Sequence, residues 1–218
     1  MKSQVSRRVV LAAGAAALAT PFVNVRAQGD FIGGDVSAQP AGFWVRPRWV
    51  WLKRSVTGEE LKLVYWKDGQ LIPDAYHQAS WFLRDLRFQA MLSKKDARID
   101  AALIKGVITE QHLSPWVLMD PVLLDILYAY SAWLYVCGVH SPLLITSAFR
   151  HLITNYMTEG AARDSWHVKG GACDVVVPGV KPDALANFGK WLSGGGVGLY
   201  PNRGFIHVDR GRVRSWLG

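Results

Sequence analysis

The sequence predicts an α+β fold, a mostly antiparallel sheet with flanking helices. Three observations predict it. Residues 43–66 alternate apolar and polar side chains around a tight turn, as a hairpin does. Residues 121–136 form one long run, apolar nearly all round and bounded by helix start and stop residues. After residue 142 come four short apolar runs of strand length, LLITSAF, ACDVVVPG, GVGLY and GFIHVD.

Each element has its own signal. Residues 28–42, with Gly33, Gly34, Pro40 and Gly42, read as a loose leader. In the hairpin, Leu61, Leu63 and Tyr65 share one face, and Val56-Thr57-Gly58-Glu59 is the turn; Lys67-Asp68-Gly69 is a second turn. Residues 74–88 read as one helix, and residues 89–118 as a charged, mixed stretch with one or two short helices. Asp120 can cap the long buried helix, Pro121 suits its first turn and Gly138 can end it. LLITSAF reads as a buried strand, followed by a helix or loop to Asp164. ACDVVVPG reads as a strand, Pro182 to Ser193 as a helix, and GVGLY and GFIHVD as the last two strands around a turn at Pro201-Asn202. No internal repeat interrupts this order.

The chain start predicts export. A basic opening with Ser6-Arg7-Arg8 precedes the apolar run Val9 to Ala19, and Val25-Arg26-Ala27 resembles a signal-peptidase site. Residues 1–27 are therefore expected to be a signal peptide of twin-arginine type, a Sec signal being the alternative, and the mature chain periplasmic or otherwise exported, with no stable membrane span. The run is too short to cross a bilayer, which takes about 20 residues. Residues 1–27 carry four basic residues and no acid, so the formal net charge of +8 falls to +4 after processing. That balance suits an anionic polymer such as the cell wall. With no dense basic run, the sequence excludes a nucleic-acid partner. Cys137 and Cys173 fit either one disulfide or two free buried thiols, and no CxxC zinc pattern occurs.

The chemistry concentrates in SWHVKGGACD, residues 165–174. If ACDVVV is a strand, Asp174 and Cys173 point to opposite faces, and Gly170-Gly171 lets the chain bend so that His167 folds back beside Asp174. GFIHVD puts His207 and Asp209 on one face of a neighbouring strand. Two histidines and an aspartate with an open position make a catalytic zinc site. The plainer alternative is that these are ordinary core or surface residues, the reading given to His77, His112 and His140; His151, just after SAFR, stays ambiguous.

Several ordered motifs resemble a known superfamily. Ser165-x-His167-x-x-Gly170-x-Ala172-x-Asp174 is similar to the SxHxxGxAxD motif of the zinc D-Ala-D-Ala peptidases, which share the LAS and Hedgehog fold. Residues 145–150, ITSAFR, resemble the S-G-Y-R segment of that family, and Thr154-Asn155 a T-N pair after it. GGVGLY, FIHVD and Arg214-Ser215-Trp216 resemble the C-terminal signature of the YcbK-like murein endopeptidase branch, as do Leu83-Arg84-Asp85 and Met119-Asp120 upstream. The resemblance covers residues 43–218 as one catalytic domain.

It implies that His167, Asp174 and His207 ligate Zn2+, that Arg150 neutralises the oxyanion and contacts substrate, and that Ser165 is a supporting or substrate contact. Trp166, beside His167, is a candidate groove residue, whereas Trp49 and Trp51 read as packing. Two departures stand out. Gly204 occupies the position of the usual general-base glutamate, so Asp209 becomes the candidate base, with a ligand or His207-orienting role as alternatives and Glu159 and Asp164 as weaker candidates. Residues 89–115 are longer than the branch leads one to expect and suit a lid, a spacer or a contact for an envelope protein. The implied function is an exported zinc metallopeptidase hydrolysing amide bonds in peptidoglycan stem or cross-link peptides. The alternative is an inactive zinc-containing cell-wall binding module or envelope-assembly scaffold.

Overall fold

A computed structural model describes residues 42–218. The expected signal peptide, 1–27, and all of the leader but Gly42 lie outside the described residues. The strands are β1 (Arg48–Arg54), β2 (Glu60–Lys67), β3 (Gln70–Leu71), β4 (Leu143–Ser147), β5 (Ala172–Val176), β6 (Gly196–Tyr200), β7 (Phe205–Asp209) and β8 (Arg214–Leu217). They form one sheet in the order β3-β2-β1-β4-β5-β7-β6-β8. The fold is α+β and the sheet mostly antiparallel, but β1–β4 and β6–β8 pair in parallel, so the sheet is mixed. GFIHVD is not the last strand. Arg214–Leu217 adds an edge strand beside β6, too short to announce itself by periodicity.

The helices are α1 (Pro73–Phe82), α2 (Leu86–Ser93), α3 (Ala97–Ile104), α4 (Pro121–Val136), α5 (Leu152–Tyr156) and α6 (Pro182–Leu192). Asp120 caps α4, its side chain accepting from the Val122 N–H at 2.9 Å, and Pro121 fills the first turn. The helix buries Leu123, Leu124, Leu127, Tyr130 and Leu134 in the main core. Val50 and Leu52 of β1, Cys173 and Val175 of β5, and Ile206 and Val208 of β7 join that core. Alternation then sends Asp174, His207 and Phe205 to the opposite face of the sheet. Core and site are two sides of the same strands.

Residues 74–88 are not one helix. The chain bends at Leu83–Asp85 and restarts as α2. The buried Arg54 guanidinium causes the break. Its Nε donates to the Phe82 carbonyl at 2.8 Å, and its Nη2 donates to the Arg84 carbonyl. A cation on these carbonyls suits the C-terminal end of α1. Asp85 then caps α2, its Oδ1 accepting from Arg87 and Phe88 N–H groups at 2.9 and 3.1 Å.

Residues 89–115 carry secondary structure and a small core of their own. The end of α2, α3 and the 3-10 turn Glu110–His112 fold around a satellite cluster of Phe88, Met91, Ile99, Ile108 and Ile153. Ile153 belongs to α5, so this segment braces the loop that carries Arg150. Cys137 and Cys173 are both free thiols.

Replacing the fully buried Leu127 with Ala removes α4's central contact with the sheet. The expected loss of unfolding free energy is about 3 kcal/mol, read as a lower urea midpoint with an unchanged slope.

Candidate metal centre

Register builds the centre. β5 and β7 pair antiparallel with Asp174 opposite His207 and Ala172 opposite Asp209. His167 arrives from the preceding loop. There the Ser165 hydroxyl accepts from the His167 N–H at 3.2 Å, and the Arg150 N–H donates to the His167 carbonyl at 3.1 Å. Gly170 closes the turn at φ +66°, and a Cβ there would lie 2.8 Å from Val117 Cγ2. Only glycine meets both demands.

The outer nitrogen of each imidazole is engaged, which fixes the inner one. His167 Nδ1 lies 2.5 Å from the Ala148 carbonyl oxygen, so it is the protonated nitrogen and Nε2 is free to ligate. His207 Nε2 donates to Asp209 Oδ2 at 3.1 Å, which leaves Nδ1. His167 Nε2 and His207 Nδ1 are 3.1 Å apart, and Asp174 Oδ1 lies 3.3 and 2.9 Å from them. Two imidazole nitrogens and one carboxylate, each held from behind, fit a zinc-type ion with open positions.

Electrostatics agree with that fit. Burial draws the His167 pKa down and outweighs the pull of Asp174. At His207 burial acts the same way, but hydrogen bonds to Asp174 and Asp209 carry the pKa above the ordinary value. Burial alone would raise the Asp174 pKa; His167 and His207 instead hold it well below the usual carboxylate range. The site keeps an anionic oxygen among histidines, and metal binding there releases protons.

Arg150 lies against the triad. Its Nη2 is 3.3 Å from Asp174 Oδ2, its Nε donates to Ser147 Oγ at 3.0 Å, and its side chain is only 12% exposed. Asp85 anchors this loop from below. Its Oδ2 accepts from the His151 N–H at 2.9 Å and from the Thr154 hydroxyl. His151 caps α5, its Nδ1 accepting from the Ile153 N–H at 3.2 Å, and stacks on Phe88 at 3.5 Å. Its Nε2–H donates to the His112 carbonyl at 2.9 Å. The ambiguous histidine is structural. His77, His112 and His140 do not line the cleft.

A cleft of about 1100 Å³ opens over the triad and Arg150. Glu159 and Asp164 stand exposed on its wall, with Asp164 2.6 Å from Lys169. Asp209 does not face the cleft freely. It is fully buried, and its oxygens bind His207 Nε2, the Gly211 N–H at 2.7 Å and Arg214 Nη2 at 2.7 Å. It sits behind His207, at the edge of the ring away from His167 and Asp174. Trp166 lines the cleft but is wedged between Gly171 and Gly211, with Arg210 5.0 Å from its ring. Gly204, where the usual glutamate would stand, ends a 3-10 turn at φ +70°.

Sequence reasoning missed the aromatic wall beside His207. Tyr200 and Phe205 stack at 4.6 Å, Trp216 Nε1 donates to the Tyr200 hydroxyl at 3.1 Å, and the Trp216 ring lies 5.3 Å from His207. Tyr200 and Trp216 fall inside the C-terminal motifs, but only the pairing of β8 with β6 brings them to the site.

A metal-type triad of two histidines and an aspartate beside a buried arginine, on the open face of a mixed sheet, marks a zinc-peptidase class of protein. Comparison places it more closely. The family model described as peptidoglycan L,D-endopeptidase MepK matches residues 103–216, and the chain belongs to that family of M15 peptidases. The peptidoglycan L,D-endopeptidase MepK of Escherichia coli K12 is 29% identical over 175 residues, 78% of this chain and 81% of the relative. The probable peptidoglycan L,D-endopeptidase MepK of Haemophilus influenzae is 40% identical over 83 residues, 38% of this chain and 41% of the relative.

His151 yields a pH prediction. Burial lowers its pKa in the folded chain, whereas an unfolded histidine takes its proton near pH 6.5. Its contribution is therefore present above that pH and lost as pH falls below it. Urea midpoints of metal-free protein should fall on acidification, and less steeply in His151→Asn, which keeps a capping side chain. Equal slopes would remove His151 as the cause.

Proposed function

We propose that the chain is an exported, zinc-dependent endopeptidase that hydrolyses an amide in peptidoglycan peptides, at an L,D linkage as the names of its relatives describe. The observation that carries this reading is the convergence of His167 Nε2, His207 Nδ1 and Asp174 Oδ1 beside Arg150 in an open cleft. Zinc, when bound, would supply Lewis acidity and a water whose pKa falls to about 7. The chain's residues supply the rest. Arg150 keeps its charge despite a pKa drawn down by burial, and its guanidinium offers fixed donors to an oxyanion on the scissile carbonyl. Ser165 shapes the His167 turn, and Asp209 orients His207. Glu159 and Asp164 are exposed acids on the cleft wall, Asp164 paired with Lys169. Ser147 and Asn155 aim Arg150 from behind.

Peptidoglycan lies outside the cytoplasm, so this activity calls for the export signal in residues 1–27. Among the described residues no helix is long and apolar enough to cross a membrane. The outer surface of 89–115, where Ile104 and Val107 are exposed, is where an envelope partner would touch.

Cross-linked muropeptides incubated with the zinc-loaded protein should be cut to monomers. Chelator or His167→Ala should abolish the cut, and Arg150→Ala should lower kcat by roughly a hundredfold, with product read by mass spectrometry. A folded, zinc-loaded protein that binds muropeptides and releases nothing would make the chain a binding module. Asp209→Asn distinguishes the roles of that residue. As an anchor its loss weakens zinc binding about 10–100-fold, whereas as a base it would spare zinc affinity and stop turnover.

A further inference from the structure

Two rows of residues cross the sheet beside the centre. His207 of β7 pairs with Gly198 of β6, which pairs with Trp216 of β8. Asp209 pairs with Gly196, which pairs with Arg214. In each row the middle strand offers no side chain. The end strand reaches across it. The Trp216 indole lies over Gly198, where a Cβ would come within 2.6 Å of Trp216 Cε2. Arg214 lies over Gly196, where a Cβ would come within 2.1 Å of Arg214 Nη1 and 2.5 Å of Asp209 Oδ2.

Each reach ends on a group that holds the metal centre. Trp216 meets the His207 ring at 5.3 Å, and its Nε1 is tied to Tyr200. Arg214 grips both Asp209 oxygens at 3.0 and 2.7 Å, and Asp209 Oδ2 in turn accepts a hydrogen bond from His207 Nε2. Arg214 also lies 4.9 Å from the Trp216 ring, so the two rows brace each other. An ordinary edge strand has no reason to clear two side chains from its neighbour. Here both clearances open onto the same imidazole.

We propose that Arg214 and Trp216 are positioning residues for His207, acting across a side-chain-free window formed by Gly196 and Gly198. The window sets the tilt and the tautomer of the one ligand whose outer nitrogen is held by a side chain. The inference rests on the metal reading above. Its consequence is that the edge strand β8, which holds no ligand, controls how tightly the centre binds zinc.

The test is zinc affinity of the purified protein by competition with a chromophoric chelator, read without substrate. Trp216→Ala, Arg214→Ala and Gly198→Ala should each weaken zinc about 10–100-fold. Trp216→Phe and Arg214→Lys should recover part of the loss. Melting of the metal-free variants identifies any that no longer fold, and for those the Phe and Lys variants decide. The double variant is the sharper measurement. If the Gly198 methyl acts by displacing Trp216, adding Gly198→Ala to Trp216→Ala should cost little more than Trp216→Ala alone. Losses that simply add, or single variants that bind zinc like the parent, would overturn the proposal. A parent protein that binds no zinc would instead overturn the metal reading beneath it.

Discussion

The pairing of β5 with β7 is the constraint on which the site depends. Asp174 faces His207 because these strands meet in one register. A one-residue slip of β5 against β7 would turn Asp174 toward the core and bring Cys173 and Val175 to the cleft. Such a slip would bury a carboxylate against Ile206, Val208 and the core helices with no polar partner. The hydrophobic face of each strand therefore enforces the geometry of its polar face. Core packing and ligand placement are a single selection made twice along each strand.

The loops are fixed by buried charge. Arg54 bends the chain at the end of α1, and the bend presents Asp85, which joins the cap of α2 to the His151 N–H and the Thr154 hydroxyl. Arg150 immediately precedes His151. The satellite core of residues 89–115 packs Phe88 under His151 and so supports the same loop. A segment that looks like an insertion thus packs beneath the loop that carries Arg150.

Much of this was legible beforehand. α4 announced itself through Asp120, Pro121 and an apolar interior. The alternation in ACDVV and FIHVD placed Asp174 and His207 on one face, and the glycines after His167 allowed its return. What stayed hidden depended on long-range partners. The break at Leu83–Asp85 follows from Arg54, some thirty residues earlier, and no local pattern contains it. β8 is four residues long and finds its strand state by docking on β6 rather than by its own periodicity. The burial of Asp209 behind His207 required knowing that Arg214 crosses over Gly196. Its spacing from His207 alone suggested a base, with ligand and anchor as alternatives.

Cys173 has a consequence of its own. Its thiol is fully buried on the reverse of the strand from Asp174, and burial pushes its pKa up, so it is inert while the sheet is closed. Its exposure to alkylation requires the core to part over β5, the same strand whose other face carries Asp174. The thiol is thus a built-in reporter: its rate of labelling measures local opening at the strand that carries Asp174, and an ion bound by Asp174, His167 and His207 would slow that clock by holding the strand down.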